Sequence, residues 1–103
     1  MDESTREGLV ELRTELFERG PRFPKDDCDD ATTEVGKRFG FKICYGEFRI
    51  NGESHSHYWN ESDDGYIVDL TARQFSPDVP EVFILPRDSD EARRHYEYLF
   101  NYS

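Results

Sequence analysis

Cysteine is scarce in this chain of 103 residues. The two cysteines, Cys28 and Cys44, are too few for a disulfide framework and do not form a C-x-x-C pair. No stretch has the apolar length of a membrane span, and the charged N-terminus lacks the apolar segment of a signal peptide. We therefore expect a cytoplasmic protein with reduced thiols and no membrane partner.

Basic residues, and lysine above all, are also few. The chain has 13 basic against 23 acidic residues, a formal net charge of −10, and only 3 of the bases are lysines. Without a basic stripe to neutralise phosphates, nucleic acid is excluded as a partner. Acid excess with little lysine is typical of proteins that work in concentrated salt, where repulsion between carboxylates is screened. Ordinary acidic proteins share part of this pattern, so both origins stay open.

Aromatic residues, in contrast, are plentiful. Only 35% of residues are hydrophobic, but 15% are aromatic, which is too many for a disordered chain of this charge. We expect one folded domain over residues 1–103.

Hydrophobic periodicity predicts an α+β order. A first helix begins at the capping box of Ser4 and Glu7 and ends before Gly20. A second helix begins near Cys28, and a last helix follows Pro86, with Tyr96, Leu99 and Phe100 facing inward. Strands are expected over 41–50, 56–61 and 66–71, with a possible edge strand over 79–85.

Three residues form a constellation that fits nucleophilic chemistry. Cys28 stands at a helix start, where the helix dipole stabilises a thiolate. His57 and Asp69 lie on consecutive strands around a tight turn, so an imidazole base and a carboxylate that orients it can meet.

The motifs around these residues resemble a known family. The stretch His57-Tyr-Trp-Asn-Glu61, then Asp64-Gly65, then Asp69-Leu-Thr71 is similar to the H-x-W-N-E…G…D-x-T pattern of transglutaminase-like (papain-like) cysteine enzymes. The segment Asp69-Leu-Thr-Ala-Arg-Gln-Phe75 resembles short YunG-like proteins more closely. The resemblance covers about residues 28–75.

This resemblance implies a nucleophile helix packed on an antiparallel sheet of three to four strands, with flanking N- and C-terminal helices. It implies amide or peptide hydrolysis, deamidation or acyl transfer on a peptide, protein or small amide, without a cofactor or metal. Carried over, Cys28 is the nucleophile, His57 the general base and acid, Asp69 the orienting carboxylate and Trp59 a shielding ring. No Gln or Asn precedes Cys28, so the second oxyanion donor beside its N–H falls to Gln74 or Asn60.

Other interpretations stay open at this point. The chain is alternatively a catalytically silent relative that acts as a binding module, and the oligomeric state is undetermined. Asp69 could cap a turn or pair with Arg73 instead of serving a histidine. The spacing of His55 and His57 near a cysteine permits a zinc domain, although no fourth ligand is evident. The acidic run 26–30 opposes thiolate formation, or selects a cationic substrate.

Overall fold

The computed structural model describes the backbone of residues 1–19 and 28–102, and the side chains of 1–19 and 29–99. The helices are α1 (Glu3–Arg19), α2 (Cys28–Phe39) and α3 (Asp90–His95). The strands are β1 (Lys42–Ile50), β2 (Glu53–Glu61), β3 (Tyr66–Asp69), β4 (Phe83–Pro86) and β5 (Tyr96–Tyr102), and a 3-10 turn covers Ala72–Gln74.

Two helix starts differ by a few residues from the sequence prediction. At α1 the cap is Asp2, whose carboxylate accepts from the Thr5 N–H at 2.8 Å, two residues before the expected cap Ser4. At α3 the cap is Ser89, whose hydroxyl accepts from the Ala92 N–H at 3.1 Å. In both cases a short polar side chain satisfies a backbone donor that the first helical turn leaves without a partner.

The two hairpins form where the sequence predicts them. Asn51 and Gly52 join β1 to β2 with φ of 54° and 78°, the left-handed conformations of a two-residue hairpin turn. Gly65, with φ of 86°, closes the turn between β2 and β3 by donating its N–H to the Ser62 carbonyl at 3.1 Å. Both turns leave their strands antiparallel.

The described part of the chain forms an antiparallel sheet of five strands in the order β4-β3-β2-β1-β5. The expected three to four strands are too few, because the residues assigned to the end of the last helix form β5. The helix stops at His95, and Tyr96 is extended, with φ −117° and ψ 123°. Aromatic residues favour strands, and pairing with β1 satisfies the backbone of the segment. The edge strand predicted over 79–85 is observed as β4, at Phe83–Pro86.

Side chains on the two faces of the sheet belong to different hydrophobic clusters. Helices α1 and α2 cover one face, where their buried side chains meet Val68 and Leu70 of the β3 segment. The other face is covered by α3, the 3-10 turn and the loop before β4. Its buried cluster consists of Cys44, Phe48, Trp59, Ile67, Ala72, Val79, Phe83, Leu85, Ala92 and Tyr96.

Candidate active site

The structure brings His57 and Asp69 into direct contact. Strands β2 and β3 pair at Asn60–Val68 and Glu61–Ile67, so Asp69 follows the last residue of β3 that pairs with β2. The Nε2 of His57 lies 2.8 Å from Oδ2 of Asp69, and both side chains are fully buried. His57 and Asp69 therefore lie close together across the two strands, as the sequence predicts, and they are within hydrogen-bonding distance.

Asp69 accepts further hydrogen bonds from the chain around it. Its Oδ1 accepts from the N–H groups of Thr71 at 3.0 Å and Ala72 at 2.9 Å, at the start of the 3-10 turn. Its Oδ2 also accepts from the Tyr96 hydroxyl at 2.7 Å. Burial by itself raises the pKa of Asp69, but the His57 charge and these hydrogen bonds outweigh burial and lower the pKa below its usual value.

Asp69 therefore does both of the things considered from the sequence, because it pairs with His57 and also caps the following turn. Arg73, the structural partner considered from the sequence, instead donates to the Val79 carbonyl at 3.3 Å. The D-x-T spacing explains the arrangement, because the Asp69 side chain folds forward onto the N–H groups two and three residues on. The carboxylate is therefore held in place by its own chain.

Aromatic rings enclose the imidazole of His57. The ring centroids of Phe75, Phe48 and Trp59 lie 5.1, 5.8 and 6.2 Å from its own. Phe75 also stacks on His55 at 4.3 Å. His55 lies within β2, which begins at Glu53, whereas the strand predicted from the sequence begins at residue 56 and leaves His55 in the turn before it. Trp59 has no exposed surface and lies beside His57.

The two oxyanion candidates have different surroundings. The Asn60 amide donates to the Thr32 carbonyl at 3.1 Å and to the Lys42 carbonyl at 3.2 Å, and it thereby ties α2 and β1 to β2. These two bonds use the N–H groups that an oxyanion would need. Gln74 is half-buried at the end of the 3-10 turn.

The two cysteines occupy different positions. Cys28 begins α2, and its side chain lies outside the described part of the structure. Cys44 is a free thiol with no exposed surface, near the start of β1. Burial first, and then the charge of Glu61, raises the pKa of Cys44 to about 12, so this thiol is unreactive at neutral pH.

The acidic run at the start of α2 is described only in part. Asp26 and Asp27 lie outside the described residues, whereas Asp29 and Asp30 are exposed in the first turn of α2. Exposed carboxylates at a helix start interact favourably with its dipole, and solvent and salt screen their effect on neighbours.

No group of three or more His, Cys, Asp or Glu side chains that could hold a metal occurs among the residues described. His55 and His57 do share one face of β2, as their spacing predicts. His95, for which the sequence predicts a surface position, is half-buried, and its Nδ1 lies 2.8 Å from the Arg49 carbonyl.

Tyr96 is the site residue that sequence reasoning missed. It was assigned to a helix, where its hydroxyl had no reason to meet Asp69. The alternation of rings at Tyr96, Tyr98 and Phe100 was the available signal, because period two indicates a strand. Tyr98 was missed for the same reason, and its hydroxyl donates to buried Glu61 at 2.9 Å.

Comparison of the chain with protein-family models, with curated proteins and with solved structures finds no match. Within the described ranges, no helix combines the length and the apolar character needed to cross a membrane.

Proposed function

We propose that this protein carries out thiol-dependent acyl chemistry on an amide, as a hydrolase, deamidase or acyltransferase. Cys28 is the nucleophile, His57 the general base and acid, and Asp69 the orienting carboxylate. The observation that carries the proposal is the buried hydrogen bond of 2.8 Å between His57 Nε2 and Asp69 Oδ2. A carboxylate so placed fixes the tautomer of the imidazole and stabilises the imidazolium that forms.

In this proposal each ring nitrogen of His57 has its own role. Asp69 engages Nε2 of His57, so Nδ1 is the nitrogen that receives the thiol proton. Helix α2 lies beside β2, because the Thr32 carbonyl accepts from Asn60. Thr32 is about 6 Å along the helix axis from Cys28, the first residue of α2. Asn60 and His57 point to opposite faces of β2, so this contact supports nearness of α2 to the strand and not to the imidazole.

The reaction follows from these roles. The Sγ of Cys28 attacks the amide carbonyl carbon while His57 takes its proton, and the resulting imidazolium then protonates the leaving amine. A thioester remains, which water hydrolyses or an amine aminolyses, and His57 removes the proton of that second nucleophile. The substrate is a peptide, protein or small amide. The scarcity of cysteine favours a cytoplasmic location. In that reducing compartment the Cys28 thiol stays free to react.

A second candidate is a catalytically silent binding module of the same fold. The observation that favours it is the complete burial of His57 beneath Phe48, Phe75 and Trp59. A histidine enclosed in this way can serve packing and a buried ion pair alone.

Site-resolved alkylation separates the two candidates. Each thiol is labelled with iodoacetamide across a range of pH, in low and in molar salt, in the wild type and in His57→Ala. Cys44 serves as the internal control, because its buried thiol resists alkylation until the chain unfolds.

An activated nucleophile predicts rapid labelling of Cys28 with a midpoint well below that of a free thiol, lost in His57→Ala. Since His57→Ala also removes a buried side chain, His57→Gln is the companion variant, checked for folding by circular dichroism. Labelling of Cys28 at the rate and pH of an ordinary thiol in both salts would reject the proposed chemistry and support the binding module.

A further inference from the structure

The hydroxyl of Tyr96 and the imidazole of His57 meet at the same oxygen atom. Oδ2 of Asp69 accepts from Tyr96 at 2.7 Å and from His57 at 2.8 Å. Tyr96 comes from the far side of the sheet, because α3 carries the chain from the β4 edge to β5 at the opposite edge. The last strand therefore contributes to a site that the sequence motifs place on β2 and β3 alone.

The position of Tyr96 is tightly defined by its neighbours. Its ring packs against Trp59 at 4.8 Å, Phe48 at 5.1 Å and Phe83 at 6.3 Å between centroids. Only 5% of the residue is exposed. The hydroxyl thus reaches Asp69 from a rigid ring, without competition from solvent.

We propose that Tyr96 is a positioning residue for the acyl chemistry, and that it acts on His57 through Asp69 by taking up part of the charge on Oδ2. This inference rests on the proposed function. A carboxylate oxygen shared between two donors stabilises the imidazolium less than one devoted to His57. The shared oxygen keeps the imidazolium acidic enough to return its proton to the leaving amine.

The electrostatics of Tyr96 fix its hydroxyl as the donor. Burial first, and then the Asp69 charge, raises the pKa of Tyr96 well above its usual value. The phenol therefore remains protonated at every pH at which the carboxylate is ionised. The further titratable groups that face this site are Glu91 and Tyr98, which act on Tyr96, and His55 and His95, which stack on Phe75 and Phe48.

The test compares Tyr96→Phe with the matched control Tyr98→Phe. Tyr98 lies two residues further along β5, and its hydroxyl donates to Glu61 instead. Each substitution removes one hydrogen-bonded hydroxyl, buried at Tyr96 and half-buried at Tyr98, and keeps the ring. The ring-nitrogen NMR signals of His57 are followed against pH in the wild type and both variants, together with the pH profile of Cys28 alkylation.

We expect the titration midpoint of His57 to rise by about half a pH unit or more in Tyr96→Phe, and to stay unchanged in Tyr98→Phe. Incorporation of 3-fluorotyrosine at position 96 gives a stronger donor, so it should move the midpoint downward. The fluorotyrosine variant keeps the hydrogen bond to Asp69, so it provides the test if Tyr96→Phe does not fold.

An unchanged or lowered midpoint in Tyr96→Phe, an equal rise in Tyr98→Phe, or no downward shift with 3-fluorotyrosine would overturn the inference. The NMR titration does not require turnover. Ordinary alkylation of Cys28 beside a raised His57 midpoint would therefore reject the acyl chemistry while leaving the coupling from Tyr96 to His57 intact.

Discussion

His57 donates its Nε2–H to Asp69 across 2.8 Å, and neither side chain is exposed to solvent. A buried carboxylate is costly to desolvate, and its partners must compensate for that cost. Asp69 has them in His57, Tyr96 and two backbone N–H groups. Both the stability of the protein and any chemistry at His57 therefore depend on the charge of this carboxylate.

Stability should fall in acid because of Asp69. Its folded-state pKa is lowered from 3.8, so its contribution is present above about pH 4 and is lost as pH falls through the folded-state pKa. Asp69→Asn should cost about 3 kcal/mol at neutral pH, since it leaves His57 without its charged partner. The variant should also show a shallower decline in acid, measured by urea unfolding at several pH values.

The control for this measurement is Asp88→Asn, because the Asp88 side chain is exposed. We expect it to keep both the stability and the acid profile of the wild type. An acid profile in Asp69→Asn as steep as that of the wild type would contradict the assignment of this pH dependence to Asp69.

Gly46 should tolerate no side chain. Strand β5 carries a bulge between the pairs Tyr45–Phe100 and Gly46–Tyr98, and a Cβ on Gly46 would lie 1.9 Å from the Glu97 carbonyl oxygen. Because that oxygen is backbone, β5 would have to move away from β1. We expect Gly46→Ala to cost about 3 kcal/mol or more, measured by thermal and urea unfolding.

Gly36→Ala is the matched control for Gly46→Ala. Gly36 lies within α2, and its Cβ would be at an ordinary contact distance of 3.6 Å from the Phe41 carbonyl oxygen. We expect it to stabilise the chain by about 0.5–1 kcal/mol, since alanine favours a helix over glycine. Equal stability of the two alanine variants would show that β5 does not approach Gly46 as described.

The Asn60 amide should be structural. Asn60→Ala removes the bonds to the Thr32 and Lys42 carbonyls and should cost about 1–3 kcal/mol. Asn60→Asp should cost more, because a carboxylate would face two carbonyl oxygens. Ser56→Ala, an exposed position on the same face of β2, should change the free energy of unfolding by less than about 0.5 kcal/mol. Wild-type stability of Asn60→Asp would return Asn60 to the oxyanion candidates.

Acidic repulsion on α1 should make stability depend on salt. Glu3, Glu7 and Glu11 are exposed and lie one turn apart, and like charges at this spacing are destabilising. Glu7→Lys converts both repulsions into attractions, so we expect a gain of about 0.5–1 kcal/mol in low salt. The gain should shrink in molar salt, whereas Glu7→Gln should give a smaller gain. A gain independent of salt would contradict this electrostatic origin.

Local patterns predicted much of this fold. The Asn51-Gly52 pair predicted the β1–β2 hairpin, because few other residue pairs adopt two successive left-handed conformations. That prediction held because the interactions involved span only a few residues. The strand predicted over 66–71 instead ends at Asp69, whose side chain caps the following turn, as the alternative interpretation of this residue proposed.

The segment after His95 was predicted wrongly, for the opposite reason. Tyr96, Leu99 and Phe100 share a helical spacing, but the alternation of Tyr96 and Tyr98 fits a strand equally well. Only the unpaired edge of β1, present once the sheet is assembled, selects the strand.

The sequence by itself determined the α+β order, the two hairpins and the placing of His57 and Asp69 on neighbouring strands, because backbone conformation and short-range hydrogen bonds decide these features. Only the tertiary structure decided that Asn60 ties α2 to the sheet, that aromatic rings enclose His57, and that Tyr96 shares Oδ2 of Asp69. These contacts join residues far apart in the chain, and their energies exist only when the sheet and its covering helices have packed together.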